Sequence, residues 1–223
     1  MTHQQALSII QKHKLVAILR GISVEDSLDV ARALYRGGVR VLEFTYDHNL
    51  PGFLNKNSEQ VRRVCEAFGD ELVVGCGTVL TPEEVQAGYN AGARLMISPN
   101  VDESVIRLSR ELDVVSMPGA MTPTEAVTAY NAGADIVKLF PAGALGIGYI
   151  KALRAPLCHI PMSAVGGVSP ENTAAFLDVG VCGLGVGGEM VRKGDVQRRD
   201  WDAIAARAAE FVQAIEKWEA QKK

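Results

Sequence analysis

The sequence predicts an α/β protein in which eight parallel strands and their intervening helices close into a (β/α)8, or TIM, barrel. Two observations carry this prediction. A helix–strand unit recurs along the chain, and eight apolar segments alternate with amphipathic ones. Near-continuous apolar strands that alternate with helices are typical of a parallel sheet. Eight such units in 223 residues favour a closed barrel.

The recurring unit has the same start and stop signals in three places. It opens with Ser-Pro or Thr-Pro at Thr81, Thr122 and Ser169, and a glycine follows eleven residues later. Ser or Thr caps a helix, Pro is tolerated at its first position, and Gly ends it in the left-handed conformation. Glu84 and Glu125 have the spacing that completes capping boxes with the first two threonines. The glycines expected to end the three helices are Gly92, Gly133 and Gly180.

Eight strands are predicted from the apolar segments between these helices. They cover 14–20, 39–45, 72–78, 93–98, 114–119, 135–140, 161–167 and 182–188. One extra helix, over about 2–12, precedes the first strand, and another, over about 200–220, follows the last. The main alternative is a doubly wound open sheet, but no GxGxxG motif opens the first unit. Because the chain has no linker or composition break, we predict one barrel domain over residues 1–223.

Composition argues against several classes of function. A net charge of −3 and a pI of about 5.8 argue against a nucleic-acid surface. No segment is apolar for long enough to span a bilayer, and the N-terminus has no signal-peptide core. The histidines form no metal-binding pair, and the scattered cysteines suit reduced thiols in a cytoplasmic protein. The cysteines are Cys65, Cys76, Cys158 and Cys182.

The predicted strand in ADIVKLFPA, residues 134–142, carries a lysine among apolar residues. Lys138 lies five residues after Gly133, and Glu43 lies five residues after Gly38. If these glycines are equivalent, both charged side chains point the same way from their strands. Inward orientation also places Ile136 inside the barrel. Both charges then lie near the C-terminal ends of strands, where barrel enzymes hold their catalytic groups.

A buried lysine and glutamate suggest three functions. Burial lowers the pKa of an amine, so Lys138 is a candidate nucleophile for a carbonyl, with Glu43 as the group that moves protons. A second possibility is a decarboxylase, epimerase or synthase on a phosphate-binding barrel, in which Lys138 acts without forming an imine. The third is a non-catalytic barrel in which the two residues form a structural ion pair.

Small and polar residues at strand ends indicate where a substrate binds. Gly166-Gly167 and Gly187-Gly188 end the last two strands, and loops there are the usual phosphate site of this fold. Glycines let the backbone N–H groups approach an anion closely. Thr78 offers a hydroxyl to a substrate, and Arg20, at the end of the first strand, offers a cation to a carboxylate.

The motifs that carry this chemistry resemble those of a known family. They are VKLFPA around Lys138, GVRVLEFT around Glu43, GTVL (77–80), ISPN (97–100), PG (118–119) and GG (166–167). In this order, over roughly 14–192, they resemble the class I aldolases of 2-keto-3-deoxy-6-phosphogluconate (KDPG) and 4-hydroxy-2-oxoglutarate (KHG). The resemblance matches Lys138 to the Schiff-base lysine and Glu43 to the general acid/base. It matches to the substrate site Arg20, Thr78, Pro99, Phe140, Gly166 and Gly167.

The resemblance also implies an activity and an assembly. Such enzymes reversibly split a 2-keto-4-hydroxy acid into pyruvate and an aldehyde, with no metal or other cofactor. The family is usually homotrimeric and belongs to carbohydrate metabolism. No nucleic-acid or membrane partner is expected.

Two positions depart from the pattern that the resemblance implies. The family usually has an arginine where Asp47 stands and a serine where Glu189 stands. Both family residues help to hold anionic groups of the substrate, so two acidic side chains there predict a repulsive effect. The substrate is then either a different sugar acid or one without phosphate. Alternatively, another cation takes over, and the candidates are Arg20, Arg192 and Lys193.

Overall fold

A computed structural model describes residues 1–222 as strands and helices that alternate along the chain. The strands are β1 (Leu15–Leu19), β2 (Val41–Thr45), β3 (Val73–Gly77), β4 (Leu95–Ile97), β5 (Val115–Met117), β6 (Gly119–Ala120), β7 (Val137–Leu139), β8 (Met162–Val165) and β9 (Gly183–Val186). The helices are α1 (His3–His13), α2 (Ser27–Arg36), α3 (Phe53–Phe68), α4 (Pro82–Asn90), α5 (Glu103–Glu111), α6 (Pro123–Ala132), α7 (Ala142–Arg154), α8 (Thr173–Asp178), α9 (Lys193–Arg198) and α10 (Trp201–Ala220). In this part of the chain, no helix has the length and apolar character needed to cross a membrane.

All strand pairs are parallel, and the barrel closes where the predicted fifth strand is divided into β5 and β6. The order is β5-β4-β3-β2-β1-β9-β8-β7-β6, so the two ends of the sheet are consecutive in the chain. The predicted strand 114–119 is divided at Pro118, which has no N–H to donate to a neighbouring strand. Its carbonyl still accepts from Lys138 N at 2.8 Å, and Ala120 O accepts from Phe140 N at 3.2 Å. The predicted (β/α)8 fold with an extra N-terminal helix is therefore confirmed.

Two apolar layers hold the barrel together. Val41, Val73, Leu95 and Ile136 belong to an inner cluster that is closed from below by Ala6 and Ile10 of α1. The side chains that alternate with them, such as Val137 and Leu139, join the larger cluster between strands and helices. This period of two is expected in a barrel, and it confirms that Val41 and Ile136 point inward. Helix α1 closes the N-terminal end, so the C-terminal end is left as the mouth.

The three repeated units form as predicted at their C-terminal ends and vary at their starts. Gly92, Gly133 and Gly180 have φ values of +103°, +105° and +88°, so all three adopt the left-handed conformation. Thr122 and Glu125 form the complete capping box predicted for α6.

The other two helix starts differ from the prediction. Thr81 caps α4, but the Glu84 side chain accepts from Leu80 N at 2.6 Å and completes no capping box with Thr81. The third unit turns once after Ser169, and α8 begins only at Thr173. The Thr173 O–H donates to Ser169 O at 2.9 Å, so the Ser169 carbonyl has a hydrogen-bond partner within the extra turn.

Candidate active site

Lys138 and Glu43 lie inside the barrel mouth on strands β7 and β2. Each alternates with a residue of the inner apolar cluster, Ile136 below the lysine and Val41 below the glutamate. Their exposed fractions are 7% and 2%. The orientation predicted from the two glycine spacings is therefore correct, and the barrel places an amine and a carboxyl group in one enclosed space.

Burial shifts both side chains toward their neutral forms. Desolvation lowers the pKa of Lys138, an effect that the Glu43 carboxylate opposes and the Arg20 guanidinium reinforces. Desolvation likewise raises the pKa of Glu43, against the influence of Lys138, Arg20 and a hydrogen bond from Thr45. A neutral amine is the form that attacks a carbonyl, and a carboxyl group with a raised pKa exchanges protons closer to neutral pH.

The two groups do not form an ion pair with each other. Lys138 Nζ and the Glu43 carboxylate oxygens lie beyond the 4.0 Å limit of a salt bridge. Glu43 Oε2 has no hydrogen-bond partner among the described residues, while Oε1 lies 3.5 Å from Thr45 Oγ1. A structural ion pair would bring the charges into contact to offset their desolvation. The geometry thus disagrees with the structural ion-pair hypothesis and leaves both groups free to act on a substrate.

Gly77 sets the position of the Glu43 side chain. A Cβ atom at Gly77 would overlap the Glu43 carboxylate, including Oε1. Gly77 ends β3, and its Cα partner on β2 is Thr45, so the neighbouring strand directly supports the carboxylate. Only a residue without a side chain fits beside Glu43 in this position.

We therefore expect Gly77→Ala to displace Glu43 and to lower kcat by about 10²-fold or more, the usual effect of losing a positioned acid/base. The overpacked barrel should also lose about 1–3 kcal/mol of unfolding free energy. Steady-state kinetics and urea denaturation measure the two effects. Gly148→Ala is the matched control, because a Cβ there meets no atom within 4 Å. Wild-type turnover in Gly77→Ala would show that the carboxylate position is not critical.

The other predicted site residues all follow the C-terminal ends of strands. Arg20 directly follows β1 and is exposed, and Thr78 directly follows β3 with a φ of +56°. Pro99 follows β4, where its backbone packs against Gly119, and its own ring is exposed at the rim. Arg20 is close enough to Lys138 to influence its pKa.

Phe140 and the first glycine pair form the rim beside the lysine. The ring centroid of Phe140 lies 4.9 Å from Lys138 Nζ. Gly166 and Gly167, with φ values of +90° and +74°, follow β8. A Cβ at Gly167 would lie 2.8 Å from Gly143 Cα in α7, so the backbone passes too close for a side chain. The turn thus requires glycine for packing as well as for its conformation.

The loop after β2 is fastened to the first turn of helix α4. His48 Nε2 lies 2.8 Å from Glu84 Oε1, and the Tyr46 hydroxyl donates to Glu84 O at 3.0 Å. Asp47 Oδ1 accepts from the backbone and side chain of Asn49 at 3.2 Å each. The unusual acidic residue is therefore engaged within its own turn. The Glu84 carboxylate contacts His48 through one oxygen and Leu80 N through the other, so it forms no capping box with Thr81.

Sequence patterns missed two further groups near the site. Gly77 was visible only as one of several small residues in GCGT, and its contact with Glu43 depends on which strands are neighbours. Ser163 is the Cα partner of Lys138 on β8, and its hydroxyl is buried with no hydrogen-bond partner among the described residues. A polar residue in the apolar stretch PMSAV was the available signal for it.

These features define the class of protein as a (β/α)8 enzyme with a buried amine nucleophile and a buried acid/base at its mouth. Comparison with known proteins identifies the family. The model for "KDPG and KHG aldolase" matches residues 7–207. The 2-dehydro-3-deoxy-6-phosphogalactonate aldolase of Escherichia coli (strain K12) is 39% identical over 204 residues, which cover 91% of this chain and 95% of the relative.

Solved structures agree with this assignment. The native KDPGal structure matches with a TM-score of 0.83 at 38% identity and covers 92% of this chain and 96% of its own. The KDPG aldolase of Legionella pneumophila, solved with pyruvate captured as a covalent carbinolamine, matches with a TM-score of 0.81 at 25% identity. It covers 92% of this chain and 96% of its own. The chain belongs to the KDPG and KHG aldolase family, and the prediction of a class I aldolase, a lyase, is confirmed.

Proposed function

We propose that the chain cleaves 2-dehydro-3-deoxy-6-phosphogalactonate to pyruvate and a three-carbon aldehyde phosphate, with Lys138 as nucleophile and Glu43 as acid/base. The observation that carries the catalytic assignment is the unpaired Lys138–Glu43 arrangement inside the mouth. The relatives support the proposed substrate, since two matches at 39% identity are phosphogalactonate aldolases, one of them probable. The KHG/KDPG aldolase of Escherichia coli (strain K12) is 30% identical.

The proposed reaction uses both groups in turn. The neutral Lys138 amine attacks the C2 ketone to give a carbinolamine, which loses water to form a protonated imine. Glu43, through a water molecule, takes the C4 hydroxyl proton. The C3–C4 bond then breaks, the aldehyde leaves, and the electron pair moves through C3 to the imine nitrogen to give an enamine. Protonation at C3 and hydrolysis release pyruvate and restore Lys138.

Substrate contacts are assigned to the remaining residues of the mouth. Arg20 supplies positive charge to an anionic group, and the Thr78 hydroxyl hydrogen-bonds the substrate. The Phe140 ring forms an apolar wall beside the lysine, and Pro99 forms part of the rim. Backbone N–H groups of the two glycine pairs approach the distal end of the substrate. These pairs are Gly166-Gly167 and Gly187-Gly188.

The first experiment is reductive trapping. The protein is incubated with pyruvate and borohydride, digested, and examined by peptide-resolved mass spectrometry. We expect a reduced pyruvyl adduct on Lys138. An adduct on another lysine, or none on a folded protein, would overturn the assignment of the nucleophile. A panel of phosphorylated and unphosphorylated 2-keto-3-deoxy acids then tests the substrate, with the highest kcat/KM expected for 2-dehydro-3-deoxy-6-phosphogalactonate.

We also infer that the chain acts as a cytoplasmic homotrimer in carbohydrate metabolism and forms one domain. Exposed apolar side chains support a subunit contact: Met121 is 48% and Tyr149 37% exposed, and the tyrosine O–H donates to Met121 O at 2.7 Å. Contiguous exposed apolar patches mark interaction surfaces, and this hydrogen bond shows that the two exposed residues are neighbours. Light scattering should therefore give about three times the 23.9 kDa mass of one chain.

A further inference from the structure

Thr78, which directly follows β3, has a backbone conformation that its side chain does not favour. Its φ is +56°, in the left-handed region. A β-branched residue is rare in this region, because the substituents on its Cβ crowd the neighbouring peptide groups. Such a conformation persists only where the surrounding structure imposes it, and residues of this kind cluster at functional sites. The contacts that hold the chain next to Thr78 therefore also determine where its hydroxyl lies.

The segment after Thr78 is held at two successive backbone N–H groups. Val79 is fully buried, and its N–H donates to Ile97 O at the end of β4 at 3.1 Å. The next N–H, that of Leu80, donates to Glu84 Oε2 at 2.6 Å. The second acceptor is a side chain of α4, so this helix fixes the path of the chain as it leaves β3. Loss of that acceptor would free the segment and allow Thr78 to return to a negative φ.

Glu84 is itself held in one orientation. Its backbone N–H donates to Thr81 Oγ1 at 3.3 Å, and its carbonyl accepts from the Tyr46 hydroxyl at 3.0 Å. The second carboxylate oxygen, Oε1, lies 2.8 Å from His48 Nε2. The Glu84 side chain is only 5% exposed. Because both oxygens of this buried carboxylate are bound, the carboxylate is a fixed acceptor for Leu80 N.

The repeat contains a second glutamate with the same backbone contact. Glu125 Oε2 accepts from Met121 N, four residues earlier, at 2.9 Å, as Glu84 does from Leu80 N. Glu125 is exposed and also completes the capping box of α6. Glu84 is buried and directs its other oxygen to His48 instead. Burying a carboxylate costs free energy, so the difference indicates a role for Glu84 beyond helix capping.

We propose that Glu84 is a positioning residue for substrate binding, and that it acts through Thr78. By holding Leu80 N, the buried carboxylate keeps Thr78 in its left-handed conformation, with its hydroxyl in place to hydrogen-bond the substrate. The contact with His48 joins this support to the loop after β2, the strand that carries Glu43. This inference rests on the proposed aldolase function, which assigns the Thr78 hydroxyl to the substrate.

The test compares variants of Glu84 with a variant of Glu125. For a 2-keto-3-deoxy acid, Glu84→Ala should raise KM about tenfold, roughly the value of one hydrogen bond to the substrate. The kcat should stay within about threefold of wild type, because binding lost equally from substrate and transition state appears in KM. Glu84→Gln keeps an oxygen for Leu80 N and should restore a KM close to that of wild type. Glu125→Ala should keep wild-type kinetics, because Met121 is not next to a residue assigned to the substrate.

A double variant distinguishes positioning from a general loss of stability. If Glu84 acts through the Thr78 hydroxyl, Thr78→Ala should raise KM, and adding Glu84→Ala should raise it little further. Increases in KM that multiply in the double variant, or a wild-type KM in Glu84→Ala, would overturn the assignment of Glu84. Urea denaturation shows which variants are folded under assay conditions. If Glu84→Ala is not folded, Glu84→Asp replaces it, because a side chain one methylene shorter is too short to bind both Leu80 N and His48.

Reductive trapping separates this result from the proposed function. A pyruvyl adduct on Lys138 of the wild-type protein tests the aldolase chemistry and requires no change at Glu84. If trapping succeeds and Glu84→Ala binds the sugar acid as wild type does, only the positioning role is wrong. If wild-type protein gives no adduct, the proposed function fails, whatever the Glu84 variants do.

Discussion

Lys138→Ala should abolish aldol cleavage while the barrel remains folded. The amine forms the bond to C2 and supplies the electron sink for C3–C4 cleavage, and Lys138 is the one lysine among the buried residues of the described chain. We expect turnover to fall by at least about 10³-fold, which corresponds to about 4 kcal/mol of activation free energy. Pyruvate and borohydride should give no adduct at position 138. Lys151→Ala, an exposed lysine on α7, is the control and should keep wild-type kinetics.

The same position makes a prediction about stability. Lys138 is desolvated without an ion pair, so Lys138→Met should raise the free energy of unfolding by about 1 kcal/mol at neutral pH. The pKa of Lys138 is lower in the folded chain than its ordinary value of 10.5. At a pH between the lowered pKa of the folded chain and 10.5, the unfolded chain binds more protons than the folded chain. The free energy of unfolding of the wild-type protein therefore increases as pH rises through this range. The methionine variant lacks this gain, and the difference between the two proteins should shrink toward high pH.

Urea denaturation at several pH values measures this difference. A Lys138→Met protein that is less stable than wild type would show that the lysine makes a favourable structural interaction. Aldol cleavage by Lys138→Ala at the wild-type rate would be still more decisive, since it would remove the Schiff base from the mechanism.

Local patterns were sufficient to predict the fold and the central pair. The glycines at 133 and 38 mark equivalent points before their strands, and alternation along each strand then determines which side chains face inward. This reasoning placed Lys138 and Glu43 in one layer without any knowledge of strand neighbours. The same alternation separated Ile136, inside the barrel, from Val137, outside it.

Features that depend on contacts between distant segments could not be predicted in this way. Gly77 supports Glu43 because β2 and β3 are adjacent, and the sequence of GCGT gives no sign of that contact. The carboxylate of Glu84 forms no capping box with Thr81, because its two oxygens contact Leu80 N and His48, which lies 36 residues earlier. Lys193 and Arg192 are adjacent basic residues that the sequence alone does not distinguish. In the structure, Lys193 lines a cavity beside the barrel mouth and Arg192 does not. Substrate contacts therefore required the structure, whereas the choice of nucleophile did not.

Glu43→Gln should slow turnover by about 10²–10⁴-fold, the usual contribution of a positioned acid/base. Glutamine keeps the shape of the side chain beside Gly77 and can still accept from Thr45, but it cannot take the C4 hydroxyl proton. Imine formation depends chiefly on Lys138, so pyruvate should still be trapped by borohydride. Glu103→Gln, on the exposed face of α5, is the control and should leave kcat unchanged.

The pH profile distinguishes a proton-transfer role from a structural one. Burial raises the pKa of Glu43 above its ordinary value of 4.5, and the carboxylate is the form that accepts the C4 proton. Wild-type kcat should therefore fall as pH decreases through this raised pKa. Because protonation of Glu43 causes this decrease in kcat, the residual kcat of Glu43→Gln should not change with pH across the same range. A variant that is slow but keeps the wild-type acidic limb would mean that another group titrates, and that Glu43 only positions the substrate.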